Sequence, residues 1–302
     1  MKSSTGEVGK PLTDTKGTPL RFVTGSSLFD GHDAAINMIR RLLQSQGAEV
    51  IHLGHNRSVQ ELVDAAIQED ADGLAVSSYQ GGHNEFFKYM VDELRANNAG
   101  HIQVFGGGGG VILPSEIEAL QAYGVNRIYS PQDGQKMGLE GMIGDMIARA
   151  AQVRDARKKI DTACSPESIK ALANNWPLLT QLITRLERDE VPAADLDVIR
   201  EQAKASKTPV LGITGTGGAG KSSLTDELIR RLRMDHGDDL TIGVVCVDPS
   251  RRKTGGALLG DRIRMNAIGP WAGNGPKVFM RSLATRDSAQ EVPATLPDII
   301  AL

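Results

Sequence analysis

Val210-Leu211-Gly212-Ile213-Thr214-Gly215-Thr216-Gly217-Gly218-Ala219-Gly220-Lys221-Ser222-Ser223-Leu224 sets both a fold class and a chemistry. The apolar run Val210 to Ile213 reads as a buried strand. It breaks into glycines, and apolar residues then recur at helical spacing through Leu224, Leu228 and Leu232. Gly215 to Ser222 fits G-x-x-x-x-G-K-[ST], in the strand-to-helix setting that this pattern requires. Glycines let successive backbone N–H groups turn inward around an anion, and the new helix aims its positive end at the same point. Lys221, the candidate catalytic residue, can then reach the β and γ phosphates, and the Ser222 hydroxyl can ligand Mg²⁺. A nucleoside triphosphate is the ligand this stretch predicts.

Working outward, the 302 residues suffice for about two domains, each with its own core. A formal net charge of -3, with both signs mixed, offers no basic field for nucleic acid or an anionic membrane. Cys164 and Cys246 are too few for a disulfide framework, and Cys246 lies in the apolar run Val244 to Val247, where a buried thiol is expected. No apolar run approaches the ~20 residues of a membrane span, and the polar start is unlike a signal peptide, so a cytoplasmic protein is expected. Residues 1–17, rich in Lys, Ser, Thr and Gly, read as a loose tail.

Strand and helix patterns alternate from there. Strands are predicted around Arg21 to Thr24, Val50 to Leu53, Gly73 to Ser77, Ile102 to Phe105 and Asn126 to Tyr129. Helices are predicted over 32–46, from the N-cap Ser58, over 84–96, over 114–123 and over 132–149. Five β-α repeats in about 140 residues predict a doubly wound parallel sheet of flavodoxin-like order, a Rossmann-type α/β fold. Ligands of such sheets sit outside the carboxyl ends of the strands. That rule selects three loops: Ser26 to Asp33, Ser77 to His83, and the five glycines Gly106 to Gly110. A five-glycine run fits a ligand lying against bare backbone, and it fits a merely flexible turn equally well. Asp30 and His32 fit a carboxylate orienting a metal-ligating imidazole, although a lone loop histidine is more often a solvated side chain. One protein ligand can fill one axial position of a metal already held in a macrocycle.

Asp30-Gly31-His32-Asp33-Ala34-Ala35 resembles the D-x-H-x-x-G motif of base-off cobalamin-binding domains. Ser77-Ser78-Tyr79 stands where that family has S-x-L, and Gly109-Gly110 where it has paired glycines; Ala35 and Tyr79 depart from the pattern. The resemblance covers about residues 18–150. It implies that His32 replaces dimethylbenzimidazole under cobalt, with Asp30 and Gly31 beside it. It also implies that the displaced nucleotide tail passes Ser77, Tyr79, Gly109 and Gly110.

Residues 151–207 change character. Arg149, Arg154, Arg157, Lys158 and Lys159 read as a solvated helix face. Short helices follow over 166–174, 176–190 and 194–205. The apolar stripe Leu178, Leu179, Leu182, Ile183 and Leu186 must pack on something. Residues 208–302 then hold the phosphate loop, the strand Leu240 to Val247, and Asp248 at that strand's carboxyl end, where an acid is well placed for Mg²⁺. The following loop, Arg251 to Met265, reads either as a solvated basic loop or as a mobile segment sensing the γ-phosphate.

Asp248-Pro249-Ser250, Thr254-Gly255-Gly256 and Gly260-Asp261-Arg262 resemble the G-protein chaperones of acyl-CoA mutases. This resemblance implies that Gly218, Ala219, Gly220, Lys221, Ser222 and Ser223 hold phosphates and that Arg264 contacts GTP. It further implies that Ser222, Asp248, Asp261 and the Val247 carbonyl serve Mg²⁺. A cobalamin domain, a helical linker and this G domain follow one another as in the amino-terminal part of the fused isobutyryl-CoA mutase family. Membership would imply adenosylcobalamin as cofactor, a radical interconversion of isobutyryl-CoA and n-butyryl-CoA, and GTP hydrolysis gating cofactor loading. It would also imply an acyl-CoA-binding barrel outside these residues and a homodimeric complete protein. Two other readings are a non-enzymatic corrinoid carrier with a delivery NTPase, and a P-loop kinase with a receiver-like domain. Strands are countable around Val210, Val245 and Val278 only, and no N-K-x-D pattern for guanine lies between Met265 and Leu302. The natural protein is therefore expected to continue, and the G domain here to be incomplete, with poor GTP-over-ATP discrimination and low hydrolysis.

Overall fold

In the computed structural model, which describes residues 18–31, 33–157, 164–173, 175–250, 256–269, 277–286 and 292–302, the amino-terminal repeats run in regular alternation. Strands β1 (Arg21–Ser26), β2 (Glu49–His52), β3 (Gly73–Ser77), β4 (Gln103–Gly107) and β5 (Arg127–Tyr129) are all parallel, in the order β5-β4-β3-β1-β2. This is the expected flavodoxin-like order. Successive side chains of a strand point to opposite faces, and the sequence obeys that rule pair by pair. Val23, Ile51, Leu74 and Val104 pack one core with α2 (Val59–Gln68), α3 (His83–Ala96) and α4 (Pro114–Tyr123). Phe22, Val50, Ala75 and Phe105 pack the other with α1 (Asp33–Ser45) and α5 (Pro131–Ala156). The α2 start carries the expected capping box, in which the Ser58 hydroxyl and the Glu61 carboxylate cap each other's backbone N–H.

Four expectations change. Arg154 is no solvated face: its guanidinium ties the Pro19 carbonyl (2.9 Å) and Asp72 (2.9 Å) to the end of α5, because the polar edge of the sheet needs donors there. Lys158 and Lys159 lie outside the described residues. Second, part of the loop Arg251 to Met265, read either as a solvated basic loop or as a segment sensing the γ-phosphate, is a strand that follows β6 (Ile242–Asp248) and precedes β8 (Val278–Ala284). Its residues Ala257–Leu259 (β7) extend the first sheet beside β2, in parallel, with Glu49 opposite Ala257 and Ile51 opposite Leu259. An edge strand presents unpaired backbone groups, and β2 offered such an edge.

Third, Val210 to Ile213 lies outside every sheet, with Val210 68% and Leu211 74% exposed. A parallel strand needs a ladder partner as well as an apolar sequence, and this run pairs with none among the described residues: β6 and β8 form a two-stranded sheet with each other, Ile242 opposite Val278 through Asp248 opposite Ala284. Fourth, the helix after the phosphate loop, α9 (Lys221–Asp235), leaves Leu224 and Leu232 exposed and buries Ile229 and Arg233. Arg233 is held by a two-pronged pair with Asp238, at 2.6 and 2.9 Å, which supplies the charged partner that burial demands.

The helices α6 (Pro166–Leu172), α7 (Trp176–Glu187) and α8 (Ala193–Ala205) join β8 and α10 (Leu296–Ala301) in a further core. The apolar stripe of α7 finds its packing there: Leu182, Ile183 and Leu186 meet Phe279, Leu283 and Ile299, and the Trp176 ring stands edge-on to Phe279 at 5.6 Å. Between this core and the first sheet lies a layer of buried ion pairs. Arg21 reaches Glu49 (2.7 Å) and Glu187 (3.2 Å), Arg286 reaches Glu49 (2.8 Å), and Arg281 pairs with Glu187. Burial opposes the charge on Glu49, but Arg286 and Arg21 outweigh it and hold the carboxyl at about 2.

Candidate functional site

The three loops selected from the sequence meet at the carboxyl edge of the first sheet. β1 leaves the sheet at Ser26, and the Ser27 N–H donates to the Ser77 carbonyl at 2.9 Å, while its hydroxyl donates to Ser78 at 3.0 Å. Asp30, 2% exposed, accepts the Tyr79 N–H at 2.8 Å, which ties the first loop to the third strand's loop. His32 lies outside the described residues, and its neighbour Gly31 is exposed with open space around it. The Ser77 hydroxyl is buried and has no hydrogen-bond partner among the described residues. A buried orphan hydroxyl is a donor waiting for an acceptor.

The glycine run divides by physical cause. A Cβ on Gly106 would lie 2.5 Å from both Ile128 and Phe87, and one on Gly108 would lie 2.0 Å from the Ser78 carbonyl. Those two glycines are required by the protein's own packing. Gly109 has φ +56°, with the Tyr79 ring leaning on it, and Gly110 faces open space. Only the far end of the run is thus left as bare, accessible backbone for a ligand. Phe29 at 85% exposure, Val111 and Leu113 surround this edge with apolar surface.

The phosphate loop has its turn conformation in place. Gly218 and Gly220 adopt φ +80° and +85°, values that glycine alone takes without strain, and Gly220 directly precedes α9. The Lys221 ammonium folds back on the carbonyls of Gly215 (2.8 Å) and Thr216 (3.1 Å). Ala219 and Ser223 lie in the same exposed loop and first turn. The Ser222 hydroxyl donates to Asp261 at 2.8 Å, and Asp248, at the end of β6, accepts the Gly260 N–H at 3.2 Å. Burial, then the charge on Asp261, pushes the Asp248 carboxyl up to about 6. A pair of carboxylates so arranged gains from a cation between them. Val247 is half-buried in β6, and Arg264 is exposed on the 3-10 turn Arg262–Arg264. Burial and the nearby acids push the Cys246 thiol up to about 12, so it is an inert packing group.

Sequence reasoning quoted Arg262 within a motif without giving it a role, and missed Gln68, Glu69 and Gly54, which lie behind these loops. The available signal was weak. Arg21 and Glu49 open apolar strands and Arg281 interrupts one, which is unusual unless the charges meet.

Residues 20–133 match the family model described as B12 binding domain. Residues 179–302 match Methylmalonyl Co-A mutase-associated GTPase MeaB. The chain is 62% identical over 284 residues to fused isobutyryl-CoA mutase of Cupriavidus metallidurans, covering 93% of this chain and 25% of the relative. It is 56% identical to fused isobutyryl-CoA mutase of Nocardia farcinica, covering 94% and 25%. It is also 34% identical over 132 residues to the 2-hydroxyisobutanoyl-CoA mutase small subunit of Aquincola tertiaricarbonis, covering 43% of this chain and 94% of that subunit. The chain thus spans about a quarter of the length of the fused relatives. With a B12-binding unit followed by a mutase-associated GTPase unit, the chain belongs to the fused isobutyryl-CoA mutase family.

Proposed function

We propose that this chain carries the cobalamin and nucleotide sites of an adenosylcobalamin-dependent mutase interconverting isobutyryl-CoA and n-butyryl-CoA, and that GTP hydrolysis gates cofactor loading. The acyl-CoA would be held by a barrel outside these residues, in a cytoplasmic homodimer. The units would be a cobalamin domain over 18–150, a helical linker over 151–207 and a G domain over 208–302; the tail expected over 1–17 lies outside the described residues. The observation that carries the reading is the convergence of Asp30, Ser77, Tyr79, Gly109 and Gly110 on one sheet edge, with a buried orphan hydroxyl and open glycine backbone among them.

These residues suit the group. His32 would ligate the cobalt, and Asp30, held in place by the Tyr79 N–H, stands two residues away to orient it. The Ser77 hydroxyl would donate to the nucleotide tail, and Gly109 and Gly110 would border it. When bound, adenosylcobalamin supplies the radical chemistry, while the protein supplies orientation and exclusion of water. At the other site the Lys221 ammonium would leave the Gly215 and Thr216 carbonyls for the β and γ phosphates, which offer it full charges. Gly218, Ala219, Gly220, Ser222 and Ser223 would cradle those phosphates, with Arg264 reaching the nucleotide. Ser222, Asp261, Asp248 and the Val247 carbonyl would serve Mg²⁺.

The test is electron paramagnetic resonance of cob(II)alamin bound to wild type and to His32→Ala. Wild type should show coupling to a protein nitrogen and the variant should not. An unchanged spectrum in the variant would remove His32 from the site.

A further inference from the structure

The 3-10 turn Arg262–Arg264 touches both units. On one side Asp261, which opens it, accepts the Ser222 hydroxyl at 2.8 Å. On the other, Arg262 turns away from the phosphate loop and is buried, 6% exposed. Its Nε and Nη2 donate to Glu69 Oε1, each at 3.2 Å, and Nη2 also meets Gln68 Oε1 at 3.1 Å and the Met280 carbonyl at 2.6 Å. Glu69 follows directly on α2, is fully buried, and accepts the Ser282 N–H at 3.0 Å and the Ser282 hydroxyl at 2.9 Å. The next residue, Ile263, lies over Gly54, where an added Cβ would stand 3.0 Å from Ile263 Cδ1. The Gly54 carbonyl in turn accepts the Ser26 N–H at 2.9 Å, where β1 runs into the Asp30 loop.

Asp261 is therefore held mainly by the first unit. The strand just before it, β7, belongs to the first sheet, and the arginine just after it is fastened to the end of α2. A carboxylate that meets a cation owes its placement to the groups that fix its backbone.

We propose that Arg262 is a positioning residue for the nucleotide site: anchored by Glu69, Gln68 and the Met280 carbonyl, it holds Asp261 at Ser222, so that Mg²⁺-dependent nucleotide binding depends on the packing of α2. This rests on the assignment of Ser222 and Asp261 to Mg²⁺. Arg286 provides the contrast, since its guanidinium sits in the same buried layer but is given to Glu49 (2.8 Å) and Glu187 (3.1 Å).

The experiment titrates Mg²⁺ against binding of a fluorescent GTP analogue by the whole chain, with thermal unfolding measured without nucleotide. Arg262→Ala is expected to raise the half-saturating Mg²⁺ concentration about 10-fold or more, the usual effect of losing a ligand's support, with Arg262→Lys between it and wild type. Arg286→Ala is expected to lower the melting temperature yet leave the half-saturating Mg²⁺ unchanged. Should Arg262→Ala not fold, Arg262→Lys decides. Wild-type Mg²⁺ dependence in the foldable Arg262 variant, or an equal change in Arg286→Ala, would overturn the proposal. Ser222→Ala separates the two levels: an unaltered Mg²⁺ dependence there defeats the metal assignment and with it this inference. A responsive Ser222→Ala beside an unresponsive Arg262 variant defeats the positioning role alone.

Discussion

The sheet of residues 21–129 and the ribbon of residues 242–284 share parallel geometry but differ in how fully they are enclosed. Strands β1, β2 and β3 are buried at every position, each between two neighbours and between helices on both faces. β8 is equally buried, but β6 exposes Gly243 and keeps most of its length half-buried, with β8 as its ladder partner among the described residues. The apolar run leading into the phosphate loop is left in solvent. Yet Gly218 and Gly220 hold their left-handed turn in the less enclosed unit. Turn chemistry is local and survives without a finished sheet, whereas a parallel strand depends on distant neighbours.

The largest effect should come from the local chemistry. Lys221→Ala is expected to reduce nucleotide hydrolysis about 100- to 1,000-fold, the scale for losing one well-placed group opposite developing charge. Cobalamin uptake, followed by its visible spectrum, should be unchanged. A parallel loss of cobalamin uptake would show that the two units do not act separately in ligand binding.

Packing comes next. Leu62→Ala, in the fully enclosed first core, should cost about 2–5 kcal/mol in denaturant unfolding, while Leu224→Ala on exposed α9 should stay within about 0.5 kcal/mol. Equal costs would erase the contrast between the units.

Within the glycine run the same logic works at shorter range. Gly108→Ala must accommodate a methyl 2.0 Å from the Ser78 carbonyl and should destabilise by about 1–3 kcal/mol or more. Gly110→Ala, facing open space, should leave the melting temperature alone and weaken cobalamin binding. If Gly110→Ala binds cobalamin as wild type does, the glycines serve packing only.

The smallest effect concerns pH. Burial, then the charges of Arg40 and Arg57, opposed by Asp33, lowers the His52 imidazole to about 4 from its ordinary 6.5. Its Nδ1 lies 2.9 Å from the Thr24 hydroxyl. Between those values the unfolded chain binds the extra proton, so this stability is complete above the ordinary pKa and is lost as pH falls toward 4. The slope should amount to about 2 kcal/mol across that window and vanish in His52→Gln. Urea melts across the window, compared between the two proteins, measure it. An unchanged slope would assign the acid sensitivity to other groups.

The sequence alone determined the order of the first sheet, its two cores and the three loops at one edge. Alternation such as Phe22 with Val23 and Leu74 with Ala75 is a local pattern, and strand–helix repetition leaves few topologies. It likewise determined the phosphate loop, because Gly218, Gly220 and Lys221 act through their own backbone and reach. Tertiary structure alone decided three other things. Residues 257–259 crossed to the first sheet because β2 had a free edge. Val210 and Leu211 stayed in solvent because no described strand stood beside them. Arg21, Glu49, Glu69, Arg262 and Arg281 became one buried layer because each carries a charge that only a partner elsewhere in the chain can offset. An apolar side chain is satisfied by any dry surface, so its pattern can be read locally. A buried charge needs one particular partner at one distance, and only the folded chain supplies it.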